Sequence, residues 1–214
     1  MIKIYGRFSA LNVQKVMWMV SEIDLEYEHV NVGGSFGGLD TSDFLAMNPH
    51  GKIPVVDDYG FIIWESHSIL RYLAAKYAET GYWPHDPGER SLINRWMDWG
   101  QTALQPAFMD LFWGYYRTPE AQQNQPEIEK AIQACIDQYG VLDKILADHD
   151  FLTGDYFTTA DMPAGTTLHR YFNMGLPMPE FPHLKAWYER LAIRPGYQKW
   201  VMQDFSELKG NLDY

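Results

Sequence analysis

A proline inside a strand-like run constrains this chain more than any other feature. Residues 53–56 (IPVV) and 61–64 (FIIW) are short apolar runs joined by Asp57-Asp58-Tyr59-Gly60. Polar turn formers closed by a glycine between two such runs predict a β-hairpin. Proline has no N–H for the sheet ladder, so Pro54 belongs at an edge, at a strand's first residue or at a sharp bend. A cis Ile53–Pro54 bond would turn the chain there and leave the backbone of Ile53 free to pair with something else. Directly after the second run come Glu65 and Ser66, followed by Ile69, Leu70, Leu73 and Tyr77 at helical spacing. Such a helix start presents amides and the Ser66 hydroxyl at the positive end of the dipole, which suits a carboxylate ligand. Glu65 beside it can accept from an ammonium. Together, a free backbone edge, an amide-rich helix start and a carboxylate fit a zwitterionic peptide. Taken singly, the same residues read as a serine cap and a turn proline.

Upstream, Ile2-Lys3-Ile4-Tyr5 alternates as a first strand, residues 6–11 break the pattern, and Val13, Val16, Met17 and Val20 take up helical spacing. Residues 27–32 (YEHVNV) form a second strand, parallel to the first if the crossover is right-handed. A loop with Gly33, Gly34, Gly37 and Gly38 follows, lacking the Gly-Lys-Ser/Thr ending of a phosphate loop. A short helix near 40–46 leads into the hairpin. The order βαβ, then α, ββ, α is that of a thioredoxin-like α/β domain.

Residues 78–88 (AETGYWPHDPG) carry two prolines and two glycines and read as a linker. The division is 1–78, a linker at 79–88, and 89–214. Strand signals vanish in the last part, which predicts an all-α helical bundle. Leu92, Trp96, Trp99 and Ala103 mark one helix, bent at Pro106, which continues through Phe108, Leu111, Phe112 and Tyr115. Ile128, Ile132, Cys135, Tyr139, Leu142 and Leu146 mark another. Thr158 as N-cap with Asp161 three residues on is a carboxylate capping box, with Phe157 and Met162 as its staple. Pro182 opens a helix through Trp187, Leu191 and Ile193 that Pro195-Gly196 ends. The tail from Gln203 is polar and has few anchors.

A net charge of −11 argues against nucleic acid or an anionic membrane as the main partner. No signal peptide and no run near 18 apolar residues is present, so a soluble cytoplasmic protein is expected. One cysteine excludes an intramolecular disulfide framework, and Cys135 on an apolar stripe reads as core. No His/Cys/Asp cluster has metal-ligand spacing, and Cys-x-x-Cys redox chemistry is out.

NPHGKIPVV followed by ESHSILRYLA resembles the glutathione-binding half of the glutathione transferase family, where Asn-Pro-x-Gly-x-hydrophobic-Pro precedes a Glu-Ser helix start. FLAMNP and WES-x-x-I-x-RYLAA are similar to a bacterial, phi/theta-like branch, and the resemblance covers essentially the whole chain. It implies the glutathione transferase fold and glutathione as co-substrate, without a metal. It also implies a homodimer and detoxification chemistry on a small electrophile. By resemblance Pro54 is cis, Ile53 pairs through its backbone with the cysteinyl part, and Glu65 and Ser66 hold the γ-glutamyl end. Lys52 and His50 are placed to meet the glycyl carboxylate; alone, each reads as a surface residue.

A thiol near pKa 8.5 is mostly protonated at neutral pH, so an enzyme using it must stabilise the thiolate. A hydroxyl or amide donor at a helix start does this by one charge-assisted hydrogen bond plus the dipole. Ser9 and Asn12, just ahead of the first helix, are the candidates, with Arg7 adding positive charge. Either residue reads equally as a cap for that helix. The phi-like pattern is Ser-x-Asn, and aligned on Asn12 its serine falls on Ala10, one position after Ser9. By family analogy the electrophile pocket lies between Phe8, Leu11 and the first helix of the second domain. Phe108, Phe112, Trp113 and Tyr116 are its candidate walls and Arg117 an anchor for an acidic electrophile; aromatics at this spacing also read as core. Rival readings are a glutathione-dependent isomerase or peroxidase on the same scaffold, and a non-catalytic interaction domain, which Ala10 favours.

Overall fold

The computed structural model describes residues 1–78 and 81–213. Its first half is a four-stranded sheet in the order β2-β1-β3-β4, with β1 Ile2–Tyr5, β2 Tyr27–Val30, β3 Val55–Asp58 and β4 Phe61–Trp64. β1 runs parallel to β2 and antiparallel to β3, and β3–β4 is the hairpin. Helix α1 (Leu11–Glu22) is the crossover between β1 and β2, α2 (Ser42–Met47) precedes the hairpin and α3 (Ser66–Tyr77) follows it. Ile2, Ile4 and Val56 turn one face of the sheet into the core beneath α1 and α3, while Tyr5 on the other face meets Phe44 of α2 edge-on.

The hairpin starts two residues later than the apolar run suggests, because the Ile53–Pro54 bond is cis and Pro54 precedes the first strand residue. The turn is also shorter than the Asp57-Asp58-Tyr59-Gly60 reading. Asp57 and Asp58 stay in β3 and pair with Ile62 and Phe61, which leaves a two-residue loop of Tyr59 and Gly60. Both take positive φ, +53° and +94°, the type I′ geometry that matches strand twist. The Asp57 carboxylate accepts from Gly60 N at 2.6 Å and closes it. Asp58 turns inward instead, accepting from the hydroxyls of Tyr72 and Tyr77 and from Lys76 Nζ, which ties β3 to α3.

Beyond residue 81 the described structure is helical apart from one isolated bridge, Phe151 to Gly154. The linker expected at 79–88 falls partly on residues 79–80, outside the described residues. Pro87 and Gly88 already belong to the first turn of α4 (Pro87–Trp99), where Asp86 Oδ1 accepts from Glu89 N at 2.9 Å. The buried stripe of α4 is Ile93, Trp96 and Met97 rather than Leu92 and Trp99. α4 continues through a π-helical stretch, Gly100–Leu104, into α5 (Gln105–Leu111) and a second π-helical stretch, Phe112–Arg117. Pro106 has no N–H for the carbonyl one turn back, and the helix widens just before it, as π-bulges do where the ladder is interrupted. Then come α6 (Gln125–Ile145), α7 (Asp161–Asn173), α8 (Pro182–Ala192) and α9 (Pro195–Trp200). Cys135 is fully buried and its thiol is pushed up to about 12 by burial and by the nearby Asp110, so it is an inert core residue.

Helix α1 is the hinge of the packing. Its sequence shows one apolar stripe, yet Leu11 and every residue from Val13 to Val20 are buried. A helix apolar all round is one buried all round, and α1 packs on α3 within its own half and on α7 and α9 of the other. Trp18 reaches across, and the absence of a side chain at Gly165 and Gly196 lets it do so. A Cβ on Gly196 would stand 3.0 Å from Trp18 Cδ1, and one on Gly165 would stand 3.3 Å from Trp18 Cη2.

Candidate functional site

The residue ahead of α1 is Ala10 in extended conformation, which has no side-chain acceptor with which to cap the helix. Asn12 lies within the first turn of α1 and Ser9 one residue ahead of Ala10. The loop carrying them is held from the other half of the molecule. Arg170 of α7, itself buried, donates from Nη2 to the Ser9 carbonyl at 2.6 Å and to Gln14 Oε1 at 3.0 Å.

Across from this loop lies the segment before cis-Pro54. Asn48 is buried and spans it, donating to the Lys52 carbonyl at 2.8 Å and accepting from His50 N at 3.1 Å. Those two hydrogen bonds set the backbone one residue ahead of Ile53. The glycine loop closes the side: a Cβ on Gly33 would stand 3.3 Å from Ile53 Cδ1. Between the halves opens a cleft of about 500 Å³. Ser9, Ala10, Leu11 and Asn12 line one wall, Lys52 and Ile53 the second, and Gln105, Met109, Phe112, Trp113 and Arg117 the third. A groove of about 480 Å³ between α5 and α6 shares only Trp113 with these residues.

Glu65 and Ser66 sit at the adjoining start of α3, outside the walls of that cleft. Ser66 is the first residue of α3 and is buried, and Glu65 is exposed with φ +67°. A non-glycine residue held there stores backbone strain of about 1–3 kcal/mol, a cost met mainly at ligand sites. His50 is exposed and packs edge-on against Trp64.

Three of the aromatic wall candidates lie elsewhere. Phe108 is fully buried in the helical core. Tyr116 is buried between Phe112 and Phe205. Phe8 turns away from the cleft, stacked between His29 and Trp200. Helical spacing alone cannot separate core from pocket, because consecutive turns of one helix face both. Arg117 does line the cleft, but its Nε donates to the Asn211 carbonyl at 2.6 Å and its guanidinium lies 4.2 Å over the Trp113 ring. The tail is anchored by those contacts, by Gly210 N donating to the Tyr116 carbonyl, and by buried Phe205 and Leu208. Two apolar residues in a polar stretch were the signal for that order.

Sequence models of two domains match this chain: the glutathione S-transferase N-terminal domain over residues 1–75 and the C-terminal domain over residues 104–195. The chain belongs to the glutathione S-transferase family. It is 36% identical over 204 residues to the glutathione S-transferase GstB of Escherichia coli, covering 94% of this chain and 98% of that one. It is 32% identical over 213 residues to glutathione S-transferase 3 of Zea mays, covering 94% and 93%. Among solved structures it resembles the theta class glutathione S-transferase of Xanthomonas axonopodis pv. citri with glutathione bound. That match has a TM-score of 0.90 and 42% identity over 95% of this chain and 98% of that one. The fold is accordingly the thioredoxin-like plus helical arrangement of glutathione S-transferases.

Within this glutathione S-transferase one residue stands out that sequence reasoning passed over. Lys15 of α1 is fully buried, and its Nζ donates to Asn12 Oδ1 at 3.0 Å and Gln105 Oε1 at 2.5 Å. Its third contact is His67 Nε2 at 3.3 Å. Burial brings the ammonium down to about 7, partly offset by the field of Glu65. His67 is pushed down to about 2 by its own burial and by Lys15 and Arg71, so it is neutral. A lysine set among Val13, Val16 and Met17 of α1 was the available signal. Among the described residues no group of three or more His, Cys, Asp or Glu side chains fits a metal, and no helix is long and apolar enough to cross a membrane.

Proposed function

We propose that this protein activates the thiol of glutathione for attack on a small electrophile, by conjugation, addition or halide displacement. One observation carries the reading. The start of α1, with Ser9 and Asn12, shares a cleft with Ile53 ahead of cis-Pro54. In this reading Ile53 pairs with the cysteinyl backbone, Glu65 and Ser66 hold the γ-glutamyl end, and Lys52 with His50 meets the glycyl carboxylate. The sulfur then lies at Ser9 and Asn12. A charge-assisted hydrogen bond worth about 1.5–3 kcal/mol to the thiolate corresponds to a thiol pKa lowered by roughly one to two units. The proton leaves to solvent. The sulfur lone pair forms the bond to carbon, and a halide departs or, in addition, water returns a proton to the adduct.

Leu11, Phe112 and Trp113 are the walls for the electrophile, with Arg117 at their edge. Residues 1–78 supply the glutathione side and residues 89–214 the electrophile side. The working form is a cytoplasmic homodimer, which sedimentation at micromolar concentration tests directly. The Xanthomonas relative, solved with glutathione bound, supports the ligand assignment.

The decisive experiment follows thiolate absorbance of bound glutathione against pH. An apparent pKa well below the free value establishes an activating site. Tight binding with an unshifted pKa would make the protein a carrier or sensor, and no binding would support the interaction-domain reading that Ala10 favours.

A further inference from the structure

In its charged form Lys15 has three N–H donors and three acceptors, none of them a carboxylate: Asn12 Oδ1, Gln105 Oε1 and His67 Nε2; as a neutral amine it still has two N–H donors for the two carboxamide oxygens. A buried cation surrounded by neutral acceptors is costly, and replacing it by an apolar side chain would ordinarily be neutral or stabilising. Its position is also specific. Asn12 comes from the first turn of α1 and Gln105 from the junction of the π-helical stretch with α5, in the opposite half of the molecule. Both carboxamides line the cleft and both are half-buried.

An ammonium can only donate, and a carboxamide has one accepting end and one donating end. With Asn12 Oδ1 turned to Lys15, Asn12 Nδ2 must point away from it. Among the described residues the Asn12 side chain has no other hydrogen-bond partner. The same logic turns Gln105 Nε2 away from Lys15. His67 cannot compete for the proton: it is neutral, and Nε2 faces the ammonium. The charge that acts on Lys15 is Glu65 at the start of α3, too far away to be in contact, and Arg71 further along α3 acts on His67.

We propose that Lys15 is a positioning residue for the thiol-activating step, fixing the Asn12 carboxamide so that its N–H2 donates into the cleft where the sulfur lies, and orienting Gln105 in the same way. This rests on the reading above in which Asn12 is the donor to the thiolate. Without Lys15 the Asn12 amide is free to flip, and in the flipped state an oxygen lone pair faces the sulfur and opposes its ionisation. Lys15 itself touches neither glutathione nor the electrophile.

The test measures the pKa of bound glutathione by thiolate absorbance in four proteins: the parent, Lys15→Met, Asn12→Ala and the double variant. Lys15→Met is expected to raise the bound thiol pKa by about one unit and lower kcat about tenfold, with the glutathione dissociation constant changed less than about twofold. In the Asn12→Ala background Lys15→Met is expected to add nothing, because the group it positions is gone. Lys15→Arg, which keeps the charge and the donors, is expected to restore most of the shift. Additive effects in the double variant overturn the proposal, since Lys15 would then act on the sulfur through its own field. An unchanged pKa in Lys15→Met overturns it as well. An unchanged pKa in Asn12→Ala with a shift in Lys15→Met overturns the Asn12 assignment instead, which keeps the two failures apart. If Lys15→Met does not fold, Lys15→Gln, with two N–H donors for three acceptors, answers the same question by the same pKa.

Discussion

Arg194 donates to Glu22 through two parallel N–H groups, Nε to Oε1 at 2.9 Å and Nη2 to Oε2 at 2.5 Å. The pair joins α1 of the sheet half to the start of α9 in the helical half. Trp18 Nε1 donates to the same Oε1 at 2.7 Å, and the guanidinium lies 4.0 Å over the Phe157 ring. A forked pair with a second donor and only 8% of the Glu22 side chain exposed is a different object from a surface ion pair. Arg194→Met leaves Glu22 buried with only Trp18 Nε1 and the more distant Tyr82 hydroxyl, 3.4 Å away, as donors, and the expected loss is about 1–3 kcal/mol in urea unfolding. Glu22→Gln in the same background should recover part of it, because the stranded charge goes too.

Asp161 gives a pH signature. Its buried carboxylate accepts from Leu152 N, Thr158 N and Trp187 Nε1, each at 3.0 Å. Burial pushes its pKa up to about 6 despite those donors. The unfolded chain releases this proton near pH 4 and the folded one near 6, so the group's contribution is greatest below pH 4. It falls as pH rises to about 6, by roughly 2–3 kcal/mol, and is flat above that. Asp161→Asn removes the slope and, by setting an NH2 against the donors, costs about 2–4 kcal/mol at pH 7. Thermal melts at pH 4, 5, 6 and 7 on both proteins check it.

Asn48 sets the segment ahead of Ile53 with two hydrogen bonds from a buried amide. Asn48→Ala should lower stability by about 1–3 kcal/mol and weaken glutathione binding by about five- to tenfold, since a loosened backbone must be ordered again by the ligand. The pKa of the bound thiol should stay put, because the α1 start is untouched. Calorimetric titration with glutathione separates these effects.

Gly6 links β1 to α1 at φ +154°, and a side chain there would collide with Val13 Cγ2, which is fully buried. The Gly6 carbonyl also accepts from His29 Nε2 at 2.7 Å. Gly6→Ala must displace the start of α1, costing about 1–3 kcal/mol. Because that start carries Ser9 and Asn12, turnover should fall more than glutathione affinity.

Ser9→Ala and Asn12→Ala divide the donor role. Loss of about tenfold or more in kcat in one variant only names the donor. Glu65→Ala should weaken retention on immobilised glutathione with little effect on the bound thiol; unchanged retention would move the γ-glutamyl site away from α3.

Much of the fold was legible because it is written in local patterns. β1 and β4 occupy the apolar runs that announced them, and Pro54 ahead of β3 follows from its missing N–H. Thr158 and Asp161 do meet, though half of the expected box is rewired. Asp161 takes the Thr158 amide, while the Thr158 hydroxyl accepts from Ala160 N at 3.2 Å. Asp161 is instead the buried acceptor that binds α7 to Trp187 of α8.

By itself the sequence determined the hairpin, the Glu65-Ser66 helix start, the helical second half and the family, since each depends on neighbours a few residues apart or on an ordered set of motifs. Only the tertiary structure decided which aromatic residues line the cleft and which lie in the core alone. It also settled that Ala10, with no side-chain acceptor, is the residue ahead of α1, and that Lys15 meets Gln105 from ninety residues away. Burial and hydrogen-bond partners across two halves of a chain are properties of distance in space, and no spacing along the sequence encodes them.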